Sequence, residues 1–292
     1  MQFASPKIED IKVYKKFFSK NNVMSYENTP TTVFLWDDLV NYKIYYTEDF
    51  LILGFYDNCF YLPFGDFEKG MKALLSYTKE NDIIPYFIAS PGEKFDEFSK
   101  LYKDQFTLHE ARDNFEYIYL ASDLAELNGK KYHSKRNHIK NFNKYYEYSY
   151  EDLSDDNCEE ILNTAKLWYM QNDKSKSTEI ELKGIENILK HKNELELFGG
   201  ALRVNGDIIS FTLASKINND TVNIHIEKAL PEFATAYTVI NREFAADELQ
   251  GYKYINREDD MGLEGLRKAK LSYKPEILLK KFFCTPKDEI NG

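Results

Sequence analysis

Apolar side chains recur every three or four residues in several stretches of the chain, which is the spacing of one face of an α-helix. Near the start, Ile8, Ile11, Tyr14, Phe17 and Phe18 follow this spacing with polar residues between them. The pattern predicts an amphipathic first helix. Further helices are predicted after Thr31-Thr32, after Asp66, over Phe95 to Tyr102, over Ile161 to Tyr169, over Ile185 to Leu189 and from Tyr237 to Gln250.

Short runs that alternate or are wholly apolar predict β-strands between these helices. In the second half, two such runs flank Asn205-Gly206, a pair that suits the tight type I′ hairpin turn. Two later runs, TVNIHIEKA and KYINRED, are expected to be neighbouring parallel strands because a helical crossover separates them. The remaining predicted strands are YKIYYT, FLILGFY and CFYLPFG as an antiparallel meander, PYFIAS, FEYIYL closing the first half, YEYSYEDL, and EILLKKFFCTP closing the second.

The order of elements is similar in the two halves, which predicts an α/β chain with two mixed sheets. A length of 292 residues exceeds what one hydrophobic core usually serves. We therefore expect a domain over residues 1–125, a basic linker helix over 126–146 and a second domain over 147–292. Each domain should hold a mixed sheet with helices on both faces, and the two should superpose.

Composition limits the possible functions. The net charge is -10, with 43% hydrophobic and 29% charged residues, which is typical of a globular protein and argues against a uniformly basic nucleic-acid binder. Cys59, Cys158 and Cys284 lie far apart, so neither a disulfide framework nor a thiolate metal site is expected. No run approaches the roughly 20 apolar residues of a membrane span, and we expect a cytoplasmic protein.

The segment 129–146 is strongly basic. It contains Lys130, Lys131, Lys135 and Arg136 among six basic residues and no acidic one. One interpretation is a solvated helix that joins two domains. The other is a clamp for the phosphates of a large donor such as tRNA or coenzyme A. His133 and His138 have no acidic or thiol companions in the segment, so no metal site is expected there.

The stretch 253–275 reads as a strand, an acidic turn and a short basic helix. Asp260 is predicted to cap this helix, because its carboxylate can accept from free amides of the first turn. Charged residues of both signs crowd the turn. They are either a solvated cap or a ligand site, since strand-to-helix turns are where open α/β sheets bind ligands.

Two signatures in the expected order give the chain a family resemblance. The first is Asn256-Arg257-Glu258-Asp259-Asp260-Met261-Gly262, followed by Gly265-Leu266-Arg267, Lys270 and Pro275, and the second is the run from Gly129 to Asn137. Together they resemble the phosphatidylglycerol lysyltransferase C-terminal domain family over nearly the whole chain. The resemblance implies two tandem domains of the Gcn5-related acetyltransferase (GNAT) fold. It also implies transfer of an aminoacyl group from aminoacyl-tRNA to an acceptor that stays open: a small molecule, a peptide or a lipid headgroup.

One connection departs from the acyl-CoA enzymes of that fold. These enzymes carry a glycine-rich turn whose amides bind pyrophosphate ahead of a helix. The corresponding connection here is ALPEFATAY, with no glycine and with the acidic Glu232. A coenzyme A thioester is therefore a less suitable donor than aminoacyl-tRNA. An acyl-CoA-dependent N-acyltransferase is one alternative, and a non-catalytic binding protein for tRNA, a nucleotide or a small anion is another.

Acyl transfer needs a base for the attacking group and donors for the oxyanion. The candidate bases are Glu227, Glu258 and His225. His225 could equally be a hydrogen-bonded, half-buried histidine, and Glu227 could simply form an ion pair at the end of the sheet. No metal or resident cofactor is expected. The candidate residues for binding substrate or phosphate are Asn256, Arg257, Asp260, Arg267, Lys270, Lys130, Lys131, Lys135 and Arg136.

Overall fold

The computed structural model describes residues 1–19, 23–172 and 176–287. The helices are α1 (Ile11–Phe18), α2 (Pro30–Val40), α3 (Phe67–Glu80), α4 (Glu93–Leu101), α5 (Ala121–Glu126), α6 (His133–Tyr145), α7 (Cys158–Gln171), α8 (Lys176–Lys190), α9 (Ala236–Asp247) and α10 (Glu264–Ser272). The strands are β1 (Lys43–Tyr46), β2 (Phe50–Phe55), β3 (Cys59–Tyr61), β4 (Phe64–Gly65), β5 (Tyr86–Ala89), β6 (Phe106–Glu110), β7 (Glu116–Leu120), β8 (Ser149–Asp152), β9 (Phe198–Val204), β10 (Asp207–Lys216), β11 (Thr221–Ala229), β12 (Tyr254–Asn256), β13 (Ile277–Leu279) and β14 (Phe282–Pro286).

The strands form two mixed sheets, as the pattern predicts. The first has the order β1-β2-β3-β5-β14-β6, with β4 paired to β2, and the second has the order β13-β7-β12-β11-β10-β9-β8. Each sheet contains one parallel pair, β3 with β5 in the first and β11 with β12 in the second. The predicted meander and the parallel β11–β12 crossover are thereby confirmed.

The two sheets exchange strands, and this corrects two sequence-based assignments. Strand β7, expected to close the first half, lies between β12 and β13 of the second sheet. The expected single closing strand divides at Lys280 and Lys281 into β13 of the second sheet and β14 of the first. Residues 1–125 therefore contribute β7 to the second sheet, and residues 147–292 contribute β14 to the first sheet. Those limits, and the superposition of the halves, stay predictions.

Local signals place the individual elements. The β9–β10 turn has Asn205 and Gly206 at φ 53° and 95°, the left-handed pair that a type I′ hairpin requires. Helix α1 buries the apolar face that its spacing predicts. Thr29 caps α2 and Asp66 caps α3 through side-chain acceptance of a backbone N–H.

A shared apolar core joins the two halves of the chain. Leu35 of α2 belongs to the same buried cluster as Ile161 of α7, Ile185 of α8 and Phe211 of β10. Helices α2 and α8 approach so closely that a Cβ on Gly184 would lie 2.1 Å from the Leu35 carbonyl oxygen. Only glycine fits there without displacing the backbone. The core therefore holds the two sheets as one packed unit.

Candidate functional site

The candidate site lies where β11 and β12 separate. The two strands are paired from Thr221 and Tyr254 to Asn223 and Asn256, and beyond these residues no further pairing continues between them. A register shift in the β10–β11 pairing at His225 interrupts the expected alternation along β11: Asn223 and His225 lie on one face, and Glu227 lies on the opposite face with Ile224. The divergence of a parallel pair is the place where α/β sheets accommodate ligands.

An ion pair spans this divergence. Arg257 Nη2 lies 2.6 Å from Glu227 Oε1, and the two side chains are 13% and 9% exposed. Asn241 of α9 donates to the other oxygen of Glu227 at 3.2 Å. The Arg257 guanidinium also lies over the ring of Tyr273, 4.9 Å from its centroid. Burial of both charges makes this pair much stronger than one in open water.

Glu258 has a different set of partners. Its Oε1 accepts from Asn223 Nδ2 at 2.7 Å and lies 3.4 Å from His225 Nδ1. Its backbone has φ 56°, a left-handed conformation that is uncommon for a non-glycine residue, and its N–H donates to Asn256 Oδ1 at 2.7 Å. Strained backbone of this kind is often found at functional sites. The parallel arrangement of TVNIHIEKA and KYINRED also leads us to expect that Glu227 and Glu258 approach one another, and this stays a prediction.

The imidazole of His225 lies between Ser215 and Asn223. Its side chain is fully buried, its Nε2 lies 2.7 Å from Ser215 Oγ and its Nδ1 lies 2.9 Å from Asn223 Nδ2. Both ring nitrogens therefore have a partner. This arrangement matches the hydrogen-bonded histidine that was the structural alternative for this residue.

Asp260 does not cap α10, which corrects the sequence-based expectation. The helix begins at Glu264 with Leu263 before it. The fully buried carboxylate of Asp260 instead accepts hydrogen bonds from Arg267 Nε at 2.9 Å, Arg112 Nη1 at 3.2 Å and the Tyr117 hydroxyl at 2.5 Å. Burial opposes ionisation, but the Arg267 guanidinium and the Tyr117 hydroxyl hold the pKa of Asp260 well below its usual range.

The remaining basic residues of the acidic turn also have intramolecular partners. Arg267 donates to both Asp260 and Asp113, at 2.8 and 2.7 Å. Lys270 donates to the backbone carbonyls of Arg257, at 2.5 Å, and of Asp259. Burial lowers the pKa of Lys270 to about 8. Both residues therefore stabilise the turn, and their predicted role in substrate binding stays untested.

Asn256 is part of a buried polar link between the sheets that the sequence patterns missed. Its Nδ2 donates to Glu116 and, at 2.7 Å, to the Met24 carbonyl. Glu116 in turn lies 2.5 Å from Lys281 Nζ, which also contacts Glu27 at 2.7 Å. Lys281 is 1% exposed, so two carboxylates surround one buried ammonium. The only sequence signal was the pair of lysines inside an apolar closing run.

The basic segment forms a helix, α6, that packs on the second sheet through Phe142. Lys131 pairs with Asp123 at 2.7 Å, and Arg136 donates to carbonyls that follow α5. Lys130 is exposed. Lys135 differs from these three, because its Nζ lies 3.6 Å from the centroid of Tyr273 and it is half-buried. Burial, and then Arg257, lower the pKa of Lys135 to about 8. Among these four residues, Lys135 is the one that reaches the strand divergence.

Three buried polar atoms at the divergence have no hydrogen-bond partner in the described part of the chain. They are Asn223 Oδ1, Asn241 Oδ1 and Arg257 Nη1. Buried polar atoms are nearly always paired, so an unpaired group marks a place for water or a ligand. Asn241 and Tyr273 were missed from the sequence, because neither lies in a charged run or on the polar face of β11.

Known proteins with this architecture define its class. The two mixed sheets, each with a parallel pair, are GNAT-like: an acetyltransferase of the GNAT family from Colwellia psychrerythraea, 9% identical, superposes with a TM-score of 0.51 over 98% of this chain and 99% of its own and shows the fold alone. The chain belongs to the family described as phosphatidylglycerol lysyltransferase, C-terminal, whose sequence pattern matches residues 21–285. The resemblance that the two signatures indicate is thereby confirmed.

Three individual relatives are similar to this chain to different extents. A conserved protein of unknown function from Bacteroides thetaiotaomicron is 32% identical and superposes with a TM-score of 0.91 over 98% of this chain and 100% of its own. The structure of L-PGS from Bacillus licheniformis, 17% identical, has a TM-score of 0.68 over 97% and 93% of the two chains and shows the fold alone. An uncharacterized protein of Mycoplasmoides gallisepticum is 28% identical over 60% of this chain, and the match spans 56% of that relative.

None of the described helices is both long and apolar enough to cross a bilayer.

Proposed function

We propose that this chain transfers an aminoacyl group from aminoacyl-tRNA to a hydroxyl or amine acceptor at the divergence of β11 and β12. Family membership and the GNAT-like fold support an acyl transfer. The observation that carries the proposal is the position of Glu258. Within the described residues its side chain has polar contacts to Asn223 and His225, both through Oε1, so Oε2 is available to accept a proton.

In this reaction the acceptor oxygen or nitrogen attacks the ester carbonyl of the aminoacyl group, and its proton passes to Glu258 Oε2. The carbonyl oxygen becomes negative in the transition state, and the unpartnered Nη1 of Arg257 can donate to it. The bond to the ribose oxygen then breaks, and Glu258 returns the proton to that leaving oxygen. Glu227 keeps Arg257 in place through their 2.6 Å contact.

Lys135 and the exposed Lys130 would hold backbone phosphates of the donor. Lys135 connects the basic helix to the divergence through its contact with Tyr273. Phosphate contacts position a nucleic acid without reading its sequence. Only a local basic surface is needed, which is compatible with the net charge of -10.

The acyl-CoA alternative has less structural support. The connection from β11 to α9 contains a 3-10 turn over Pro231–Phe233 and no glycine. Glu232 is exposed on this connection. An acidic side chain beside a helix N-terminus disfavours the pyrophosphate of coenzyme A.

A non-catalytic binding protein is the competing function, and one observation favours it. Arg257 neutralises Glu227 in the described structure, as expected of a carboxylate with a purely structural role. A binding protein would retain tRNA affinity in a Glu258→Gln variant and would not release the aminoacyl group.

The first experiment measures binding of bulk tRNA, aminoacylated and deacylated, to the wild-type chain and to Lys135→Met. Lys140→Met is the matched control, because Lys140 is exposed on the same helix. We expect Lys135→Met to weaken tRNA binding at least fivefold. The slope of the logarithm of the binding constant against the logarithm of the salt concentration should fall by the amount that corresponds to about one phosphate contact. Equal affinities for Lys135→Met and Lys140→Met would contradict the placement of the donor.

A further inference from the structure

A second site is suggested by a cavity in the first sheet, far along the chain from the strand divergence of the second. The cavity has a volume of about 430 Å³ and lies at the carboxyl ends of β3 and β5, the parallel pair of that sheet. Its apolar walls include Tyr61, Leu62, Phe64, Ile88, Phe95 and Leu279. A ligand here would have a mainly apolar body.

Lys94 brings a cation to this apolar cavity. Its Nζ donates to the Pro63 carbonyl at 2.8 Å and lies 5.3 Å from the centroid of Phe64. None of the described carboxylates forms an ion pair with it. Burial lowers its pKa to about 8, which is the direction expected of an ammonium without a counter-ion. Lys281, by contrast, is buried between two carboxylates.

Further donors line the same cavity. Ser90 Oγ is buried and has no partner among the residues that the structure describes. Gly92 precedes α4 and offers no side-chain cap to the amides of the first helical turn. A cation and a hydroxyl at one cavity favour an anion, whereas the α4 N-terminus adds little because Glu93 and Asp96 already lie in its first turn.

The charge of the ligand follows from the same residues. Lys94 is the cation at the cavity, and no arginine contributes to its lining. Two carboxylates also line the cavity: Glu27 is already paired with Lys281 at 2.7 Å, and Glu93 is exposed to solvent. One ammonium matches one negative charge, whereas a phosphate monoester carries close to two and suits a bidentate guanidinium.

We propose that this cavity binds a carboxylate with an apolar body, such as a medium-chain fatty acid, with its carboxyl group on Lys94 and Ser90 and its body against Phe64 and Phe95. The cavity adjoins the candidate site through Met24, whose carbonyl accepts from Asn256, but Lys94 and Ser90 take no part in the proposed aminoacyl transfer. Its ligand can be measured without any transfer reaction, so either proposal can fail alone.

Titration calorimetry with octanoate, octanol and octyl phosphate tests the proposal on the full chain. We expect octanoate to bind at least tenfold more tightly than octanol, because the carboxylate adds a charge-assisted hydrogen bond to Lys94. Octyl phosphate should bind no more tightly than octanoate. Lys94→Met should weaken octanoate at least tenfold and leave octanol unchanged.

Lys100→Met is the matched control, since Lys100 is exposed on the same helix, and it should bind octanoate as the wild type does. Ser90→Ala should weaken octanoate severalfold with an unchanged melting temperature. Equal affinity for octanoate and octanol, tighter binding of octyl phosphate, or the same octanoate affinity in Lys94→Met and Lys100→Met would each overturn the proposal.

Discussion

The Arg257 guanidinium and the Glu227 carboxylate meet at 2.6 Å between two strands that have just separated. A buried pair of this kind is strongly destabilising when one member is removed, because the other charge stays buried and uncompensated. Arg257→Met should therefore lower the free energy of unfolding by about 3 to 5 kcal/mol. Urea denaturation monitored by circular dichroism gives this value.

The matched control for the pair is the double variant Arg257→Met/Glu227→Gln. It should be more stable than Arg257→Met alone, because the uncompensated carboxylate is gone. Strictly additive effects of the two substitutions would show that the residues do not interact across the divergence.

Binding of tRNA should depend on pH through Lys135. Its folded-state pKa of about 8 means that the ammonium is charged below that pH and loses its proton as the pH rises through it. We expect deacylated tRNA to bind more weakly as the pH rises from 7 to 9. Lys135→Arg should bind with little pH dependence over this range, because a guanidinium stays charged. An identical pH profile for wild type and Lys135→Arg would exclude Lys135 as a phosphate contact.

Asp260 should contribute to acid stability. Its folded-state pKa lies below the ordinary value of 3.8, so its contribution is complete above that pH and is lost as the pH falls below it. Asp260→Asn should reduce stability at pH 7 and flatten the dependence of stability on pH below 4. Thermal unfolding at pH 2.5, 4 and 7 measures this, and an unchanged acid profile would argue against the Arg267 and Arg112 contacts.

The structure changes what Arg267→Ala is expected to do. From the sequence we expect this variant to lose ligand binding with an intact fold. Arg267 instead supplies two of the donors to the fully buried Asp260. We now expect Arg267→Ala to lower the melting temperature as well, so it cannot separate binding from folding. Glu258→Gln is the better test, because Glu258 forms no ion pair with any lysine or arginine that the structure describes.

Local structure was the most predictable part of this fold. The spacing of Ile11, Tyr14, Phe17 and Phe18 predicts α1, and Asn205-Gly206 predicts a hairpin, because both signals act within a few residues. The sheet to which β7 and β14 each belong could not be predicted in this way. Strand exchange depends on contacts between distant segments, such as Lys281 with Glu27 and Glu116, and no local pattern records them.

The candidate site was predictable to the level of residue types and general location. Polar residues of TVNIHIEKA do contact charges of the acidic turn, Glu227 through Arg257 and Asn223 through Glu258, but the register shift at His225 puts Glu227 and Asn223 on opposite faces of β11. Which charges stay available was not predictable. In the sequence, Asp260 and Arg267 are charged residues of the same turn as Glu258 and look equally suited to bind a ligand. In the structure they are hydrogen-bonded to each other, and Asp260 is buried.

The most direct test of the aminoacyl-transfer site measures loss of the labelled aminoacyl ester from bulk aminoacyl-tRNA. The reaction contains the purified chain and, in separate arms, an aqueous small-molecule extract or a polar-lipid extract as acceptor. Glu264→Gln is the matched control, because Glu264 is 80% exposed and forms an ion pair with the exposed Lys268 at 2.7 Å. The wild type and Glu264→Gln should release the ester well above the spontaneous rate in at least one arm, and Glu258→Gln should be slower by roughly 10²- to 10⁴-fold, the range for loss of a general base. A wild-type rate equal to the spontaneous rate in both arms, or equal rates for Glu258→Gln and Glu264→Gln, would contradict the assignment.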